Sequence, residues 1–354
     1  MLAPPWIPVP APAYGGIEEV IRLLSDGLVE RGHEVTLFAP PGSRSPAAVR
    51  EVLDEPHPDE IEHSRWEIDH VARVFGEIDR AGENGGAYDV IHDHTGYAGL
   101  AMADRIATRV VHTLHGPFDE VTSAFYAAHG HKAKIVAISR AQLDDAPPNI
   151  RDAAVVYNPL RFEEWELHET PGDHVLFMGR MAPVKGPHRA IAAAREAGVP
   201  LAIAGPVQPG QEEFFASEVE PHFDDDQVRY VGEIGTDGKP EAYGAARALL
   251  MPIRWAEPFG MVMTEAMACG TPVIAFAEGS APELIEDGVN GFVVRDEHEM
   301  AQAIARLGEI DRARCRAYAH ERFGVEAAVD GYERVYATSA AQTQFEAPAP
   351  PAQS

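Results

Sequence analysis

Short apolar segments rich in β-branched residues alternate with helix-like segments along most of this 354-residue chain. The apolar segments are residues 34–38, 89–92, 110–114, 135–139, 155–157, 175–178, 201–204, 228–231, 249–253, 273–276 and 292–294. Between them, apolar residues recur at helical spacing, as over residues 17–30. Strand–helix–strand repetition predicts parallel sheets that are covered by helices on both faces. We therefore expect an α/β protein with two such units in tandem.

The length and the breaks in this pattern predict where the domains divide. A chain of this length exceeds one ordinary hydrophobic core. Pro147-Pro148 and Asn158-Pro159 interrupt the pattern, and residues after 338 are rich in Ala, Gln and Pro. We predict a Rossmann-like domain over 1–152, a second one over 153–318, a helix over 319–338 that packs back toward the first domain, and a disordered tail over 339–354.

The beginning of the chain is short for a Rossmann-like half, which needs a buried first strand before its glycine loop. Only residues 1–3 precede Pro4-Pro5, whereas an average strand has about five residues. We expect either that the true start lies upstream of Met1 or that the first strand is a stub.

The composition limits the partners and the location. A net charge of −27 disfavours nucleic acid and anionic membranes. The chain has no apolar run of transmembrane length and no leader pattern, and its only cysteines are Cys269 and Cys315, which together favour the cytoplasm. Peripheral membrane contact is left open but nothing indicates it. An anionic ligand would need a local cluster of positive groups, and lysine occurs only at positions 132, 134, 185 and 239.

The segment over residues 257–272, EPFGMVMTEAMACGTP, lies between two predicted strands. Gly260 allows close approach of a ligand to the backbone, and the helix that follows presents free N–H groups suited to phosphate. Glu257 and Glu265 lie eight residues apart and can accept hydrogen bonds from sugar and ribose hydroxyls. Two surface acids on a capped helix are the plainer interpretation of the glutamates alone, but the whole string favours a ligand site.

Three further segments contain candidate site residues. Arg180 and Lys185 lie in the glycine-flanked turn 178–186, MGRMAPVKG, and can converge on a diphosphate; a solvated turn is the alternative. A glycine pair at positions 15 and 16 opens the first helix. His115 ends a predicted strand, at the sheet edge where ligands bind in open α/β folds.

Two polar runs resemble metal sites only superficially. His92-Asp93-His94 lacks further ligands at suitable spacing, so we assign no metal to it. The acidic run 224–226 precedes a strand and is interpreted as a solvated turn.

Residues 257–265, 266–275 and 279–291 together resemble the donor-binding signature of the family 4 glycosyltransferases. The resemblance covers nearly the whole chain and is strongest in the second half. It implies the GT-B fold, in which two Rossmann-like domains with parallel sheets face each other across a cleft, and transfer with retention of anomeric configuration. Val184 stands where the family often has Glu, and Asn158-Pro159 where it usually has Asn-Gly.

The resemblance implies a role for each candidate residue. Glu257 would hold hydroxyls of the donor sugar and Glu265 the ribose. The implied catalytic residues are His115, Glu257, Arg180 and Lys185. The implied donor-binding residues are Gly15, Gly16, Arg180, Lys185, Ile234, Glu257, Phe259, Gly260, Met261 and Glu265. Independently of the resemblance, we assign Tyr14, Asp93 and His94 to the acceptor side.

These residues predict a retaining glycosyltransferase that moves a sugar from a nucleotide-diphosphate sugar to an unidentified hydroxyl acceptor. A UDP-sugar is the favoured donor, and it is a co-substrate rather than a cofactor. Because cationic side chains and helix amides can neutralise the leaving diphosphate, no metal is expected. A sugar-nucleotide 2-epimerase-like isomerase and a non-catalytic nucleotide-sugar binder are the alternatives, and analysis of the products separates all three.

Overall fold

The structure, a computed structural model, describes residues 1–12, 15–61, 63–224 and 226–343. Its strands are Thr36–Phe38 (β1), Ala48–Arg50 (β2), Ile91–Asp93 (β3), Val110–Thr113 (β4), Lys134–Ala137 (β5), Ala154–Val155 (β6), Val175–Met178 (β7), Leu201–Ala204 (β8), Val228–Gly232 (β9), Leu249–Met251 (β10), Val273–Phe276 (β11) and Gly291–Val294 (β12). Its α-helices are Gly16–Glu30 (α1), Ser64–Glu83 (α2), Tyr97–Met102 (α3), Glu120–His129 (α4), Pro187–Ala197 (α5), Glu212–Glu218 (α6), Lys239–Ala245 (α7), Met261–Ala268 (α8), Ala281–Leu284 (α9), Glu297–Ala305 (α10), Arg312–Phe323 (α11) and Val325–Thr343 (α12).

The chain divides into two compact units. The amino-terminal unit contains Met1–Ile138, Leu143–Pro159 and the segment from Val325 onward, and the carboxy-terminal unit contains Ser139–Gln142 and Leu160–Gly324. The predicted domain boundary at residue 152 lies a few residues before this division. Every strand pair between the named strands is parallel, which confirms the predicted α/β class with two parallel units.

The sheet of the amino-terminal unit depends on the first residues of the chain. The pair β1-β2 and the four-stranded order β3-β4-β5-β6 are joined by Leu2, which bridges to Phe38 on one side and to Asp93 on the other. The Leu2 amide donates to the His92 carbonyl at 2.8 Å, and the Ala3 amide donates to the Phe38 carbonyl at 2.9 Å. Leu2 is fully buried. Residues 1–3 therefore occupy the place of the first strand, between β1 and β3.

The carboxy-terminal unit contains one six-stranded sheet in the order β12-β11-β10-β7-β8-β9. Its central strands are continuous apolar runs, because a parallel sheet is buried on both faces. The strands predicted over 175–178, 201–204 and 273–276 are confirmed at those bounds. β10 and β7 are neighbours in this sheet, so the loops that follow them leave from the same edge.

Two predictions about the end of the chain were wrong in part. The helix expected over 319–338 is interrupted at Gly324, whose backbone is extended (φ −66°, ψ 157°) and bridges to Leu160. The helix that starts at Val325 continues to Thr343, so residues 339–343, which we expected to be disordered, are helical. Residues 344–354 of the predicted tail lie outside the described residues, as does Asp225 of the acidic run.

Helix α12 packs against α1 inside the amino-terminal unit. Gly27 of α1 faces α12 so closely that a Cβ atom there would lie 2.6 Å from Val325 Cγ1 and 2.8 Å from Val329 Cγ2. At the end of α1, the Arg31 guanidinium pairs with Asp330 at 2.6 Å. In the part of the chain that is described, no helix combines the length and apolar character that crossing a bilayer requires.

Replacing Gly27 tests this helix contact. Gly27→Val is expected to lower the free energy of unfolding by about 1–3 kcal/mol, because the two valines of α12 leave no room for a larger side chain. Gly82→Ala in α2 is the matched control, since no atom lies within 4 Å of a Cβ built there; it should be neutral or stabilise by up to about 1 kcal/mol. Denaturant unfolding measures both variants, and equal effects would contradict the assigned packing.

Candidate active site

The loop after β10 ends at the amino terminus of α8, where the backbone turns sharply. Gly260 caps this helix with a left-handed backbone (φ 77°, ψ 70°), which residues with a side chain adopt only with strain. A Cβ atom there would also lie 2.9 Å from Met263 Cε. The Met263 amide donates to the carbonyl of the capping residue Gly260 at 2.9 Å, which leaves the amides of Met261 and Val262 at the positive end of the helix dipole. This helix end can therefore bind an anionic group.

Lys185 and Glu257 are in direct contact, although they lie 72 positions apart. Lys185 Nζ donates to Glu257 Oε2 at 2.5 Å, and the two side chains are 17% and 15% exposed. The backbone of Glu257 is held by the segment after β11, because the Ser280 amide donates to the Glu257 carbonyl at 3.0 Å. The structure thus brings together two of the predicted site residues, one cationic and one anionic.

The turn that carries Lys185 is tied to the loop after β10. Gly186 has a positive φ of 80°, and a Cβ atom there would lie 2.4 Å from the Pro252 carbonyl oxygen. The Arg254 amide donates to the Val184 carbonyl at 2.9 Å. Because β7 and β10 are neighbours, these contacts fix one loop against the other at the carboxyl edge of the sheet.

Arg180 follows β7 directly and is exposed. Its Nη1 donates to Gln208 Oε1 at 3.0 Å, in the segment after β8. The two segments approach closely, since a Cβ atom at Gly205 would lie 1.9 Å from the Gly179 carbonyl oxygen. The structure therefore places Arg180 at the same sheet edge as Lys185, with its guanidinium engaged by a neutral partner.

Glu265, the fifth residue of α8, is buried among polar side chains. Lys239 Nζ donates to both of its carboxylate oxygens at 3.0 Å, and the Tyr243 hydroxyl donates to Oε2 at 2.8 Å. Sequence reasoning missed Lys239, although the scarcity of lysine that singled out Lys185 applies equally to it. Ile234, one of the predicted donor-binding residues, is half-buried in the segment that connects β9 to α7.

Phe259 contributes to the site through its backbone rather than its side chain. The ring is only 2% exposed and packs edge-on against Phe323 at a centroid distance of 5.9 Å. Its carbonyl accepts a hydrogen bond from Ser280 Oγ at 2.7 Å. The buried ring anchors the loop that leads into α8.

Gly15 and Gly16 begin α1 in the amino-terminal unit. Gly15 caps the helix with an extended backbone, so its φ does not require glycine. The limited space around Gly15 does require glycine, because a Cβ atom there would lie 2.5 Å from Ala11 Cβ and 2.6 Å from Glu18 Oε2. Tyr14, predicted on the acceptor side, lies outside the described residues.

Asp93 is buried and fully engaged inside the amino-terminal unit. Its Oδ2 lies 2.7 Å from His112 Nδ1, and its Oδ1 accepts from the amide and the hydroxyl of Thr95. His112 Nε2 continues the chain of contacts to the Tyr126 hydroxyl at 2.8 Å. In this environment the Asp93 carboxylate connects β3 to β4.

His94 and His115 form a hydrogen-bonded pair beside this network. His94 Nδ1 and His115 Nε2 lie 2.9 Å apart, so one ring donates and the other accepts. Burial, with a smaller contribution from His112, lowers the pKa of His115 to about 3. Burial and the neighbouring imidazoles also hold the pKa of His94 well below its ordinary value. Both rings are therefore neutral at neutral pH.

The described residues contain no group of three or more His, Cys, Asp or Glu side chains arranged to hold a metal ion. Cationic side chains of the carboxy-terminal unit that contact the predicted donor-binding segments include Arg180, Lys185 and Lys239.

The fold is that of GT-B glycosyltransferases. The chain is similar to the crystal structure of AviGT4, a glycosyltransferase involved in avilamycin A biosynthesis, with a TM-score of 0.71 and 25% identity over 96% of this chain and 97% of that one. It is also similar in fold to HepE of Anabaena in complex with UDP-glucose, with a TM-score of 0.67 and 20% identity over 95% of this chain and 98% of that one.

Two family models match consecutive parts of the chain. The model for Glycosyltransferase Family 4 matches residues 14–164, and the model for Glycosyl transferases group 1 matches residues 162–322. The chain belongs to the family 4 glycosyltransferases, and the predicted family and enzyme class are confirmed.

The curated relatives include two proteins named D-inositol 3-phosphate glycosyltransferase. The one from Mycolicibacterium smegmatis is 29% identical over 64% of this chain and 60% of its own length. The one from Pseudarthrobacter chlorophenolicus is 27% identical over 80% of this chain and 79% of its own length. The chain therefore spans less than two thirds of the first relative.

The neutral histidine pair makes the stability of the amino-terminal unit depend on pH. In the unfolded chain His94 takes up a proton below its ordinary pKa of 6.5, whereas the buried ring stays neutral. The free energy of unfolding is therefore unaffected by this group above pH 6.5. It falls as the pH drops below 6.5, by about 1.4 kcal/mol per pH unit for each such group. His94→Gln, whose amide can still hydrogen-bond to His115, should show a shallower loss of stability between about pH 6 and about pH 4.5. Unfolding free energies measured across this range test the prediction, and parallel curves for the variant and the wild type would contradict it.

Proposed function

We propose that this glycosyltransferase uses a nucleotide-diphosphate sugar, with a UDP-sugar favoured, and transfers the sugar to a hydroxyl acceptor with retention and without a divalent metal. The observation that carries the proposal is the contact between Lys185 and Glu257 beside the amino terminus of α8. One cation, one carboxylate and the first two amides of α8 lie at one sheet edge. These are the groups that a diphosphate and a sugar require.

The diphosphate would lie against the amino terminus of α8. The free N–H groups of that helix and the ammonium of Lys185 neutralise the charge that grows on the leaving diphosphate, and Arg180 adds a planar guanidinium at the same edge. With these groups in place, no metal is needed for charge neutralisation.

The two glutamates would bind the hydroxyls of the donor. Glu257 accepts from hydroxyls of the transferred sugar, and Glu265 from those of the ribose. A carboxylate offers about four acceptor positions, so Glu265 can retain Lys239 and Tyr243 while it binds a hydroxyl. The UDP-glucose in HepE, a protein of the same fold, supports a uridine nucleotide as the first choice.

For the chemical step we propose attack on the face of the sugar that the diphosphate leaves. The bond from the anomeric carbon to the diphosphate oxygen breaks, a bond to the acceptor oxygen forms on the same face, and a diphosphate oxygen takes the proton of the acceptor. His115 keeps the role that the family resemblance implies, a hydrogen bond to the donor. Because its Nε2 faces His94, the neutral imidazole would accept the His94 Nδ1–H there and donate to the sugar donor through Nδ1.

The acceptor is proposed only as a class, a hydroxyl compound. The names of the relatives make D-inositol 3-phosphate the first acceptor to test.

Calorimetric titration of UDP, GDP and ADP into the metal-free protein tests the donor site. We expect UDP to bind, and Lys185→Ala to weaken binding by roughly 1.5–3 kcal/mol, the usual contribution of a charged hydrogen bond. Lys134→Ala is the matched control, since this lysine is exposed at the start of β5 and should leave the affinity unchanged. Failure of the folded protein to bind any of the nucleotides would overturn the donor site.

Product analysis tests the reaction itself. With UDP-glucose and a panel of hydroxyl acceptors that includes D-inositol 3-phosphate, we expect an α-linked glycoside by NMR, because the donor is α-linked and the configuration is retained. Addition of EDTA should change the rate by less than about twofold, because protein cations neutralise the leaving group. A β-linked product would contradict retention, an EDTA-inhibited rate would contradict metal independence, and an epimerised donor would indicate the isomerase instead.

A further inference from the structure

The indole of Trp255 lies against the ammonium group of Lys185. Lys185 Nζ is 4.5 Å from the centre of the ring, within the range of a cation–π interaction. The same atom donates to Glu257 Oε2 at 2.5 Å, so the ammonium has an aromatic face and a carboxylate as neighbours at once. The lysine side chain is only 17% exposed, and these two contacts replace much of the water that it would hold in solution.

The backbone on both sides of Trp255 is fixed. The residue before it, Arg254, donates its amide to the Val184 carbonyl in the lysine turn at 2.9 Å. The Glu257 amide donates back to the Trp255 carbonyl at 2.9 Å. Gly279 then closes the loop, because a Cβ atom there would lie 2.4 Å from the Glu257 nitrogen. The indole is therefore carried by a rigid loop that is tied to the turn of Lys185.

The indole N–H of Trp255 takes no part in the contact with Lys185. Its Nε1 is buried and finds no hydrogen-bond partner among the described residues. No hydrogen bond among the described residues therefore accounts for a tryptophan at this position, whereas its ring has a defined contact with Lys185. Tryptophan is also the aromatic side chain that attracts a cation most strongly.

We propose that Trp255 is a positioning residue for Lys185, and that donor binding exchanges the anionic partner of the lysine from Glu257 to the diphosphate while its ammonium stays on the indole face. The proposal rests on the donor site proposed above. In the empty site the lysine neutralises Glu257. When the diphosphate arrives it takes over the lysine, and the carboxylate becomes available to the hydroxyls of the sugar.

The ring gives this exchange its physical basis. Without the ring, a lysine that changed from one anionic partner to another would pass through a state in which water hydrates its ammonium. Its flexible side chain could then move the ammonium away from the site. The indole face attracts the cation whichever anion is present, so it limits the lysine to the small movement between the two partners. Binding of the diphosphate and release of Glu257 are thereby coupled.

Competitive acetylation of the lysines tests the contact directly. Only four lysines occur, and Lys132 and Lys134, which belong to the amino-terminal unit, serve as internal references in the same peptide map. Without nucleotide, Trp255→Leu should make Lys185 react about two- to fivefold faster relative to the references, because the indole ring covers the lysine nitrogen and holds it in place. Trp255→Phe should lie between the leucine variant and the wild type, since it keeps an aromatic face and loses only an unpaired N–H.

Nucleotide affinity supplies a readout that a merely structural role would not move. Trp255→Leu should weaken UDP binding about two- to fivefold in the wild-type background and have no further effect in the Lys185→Ala background. UDP should also slow the acetylation of Lys185 in the wild type. Circular dichroism and melting curves check that each variant is folded, and Trp255→Met replaces the leucine variant if that one does not fold.

The outcomes separate this inference from the function on which it rests. Unchanged Lys185 reactivity in folded Trp255→Leu, or equal losses of UDP affinity in the two backgrounds, would overturn the role of Trp255 while UDP binding to the wild type preserves the donor site. Faster acetylation in Trp255→Leu with no nucleotide bound by the wild type would overturn both the exchange and the proposed donor site.

Discussion

The adjacency of β7 and β10 in the six-stranded sheet is the constraint on which the donor side of this enzyme depends. Lys185 follows one of these strands and Glu257 the other, so their contact is a product of strand order and not of local sequence. Gly186 and Gly279 make it sterically feasible, because each lies where a side chain would meet the backbone of the loop after β10. The glycines bring the two loops together, and the charged side chains then meet between them.

The buried charged and titratable side chains discussed above have polar partners in both units. In the carboxy-terminal unit, Glu265 is paired with Lys239 in the same way as Glu257 with Lys185. In the amino-terminal unit, burial keeps His94 and His115 neutral, and Asp93 is shared between His112 and Thr95. A ligand that binds to the paired groups must displace or share an existing interaction, which is why the proposed exchange at Lys185 follows from the geometry.

The sequence predicted most strongly what depends on local patterns. Buried parallel strands are continuous apolar runs, so β7, β8 and β11 could be located to the residue, whereas β2 is short, largely exposed and paired only with β1, and was missed. The break at Gly324 was missed because the apolar helical pattern continues past it, while the extended backbone is held by a bridge to Leu160. Lys239 was missed for a related reason, since only the folded chain brings it to Glu265. Glu257 and Lys185 were found because each lies in a motif of its own, but their pairing could not be predicted.

The paired lysines also determine how an anionic donor approaches the enzyme. The chain carries a net charge of −27, and in the empty site Lys185 and Lys239 are each neutralised by a glutamate. The positive field of the site therefore extends only a short distance, while the field of the whole surface repels a nucleotide sugar from farther away. At physiological ionic strength that repulsion is screened beyond about 8 Å. Salt should consequently speed the first encounter with the donor, in contrast to enzymes that attract an anionic substrate with an open cationic funnel.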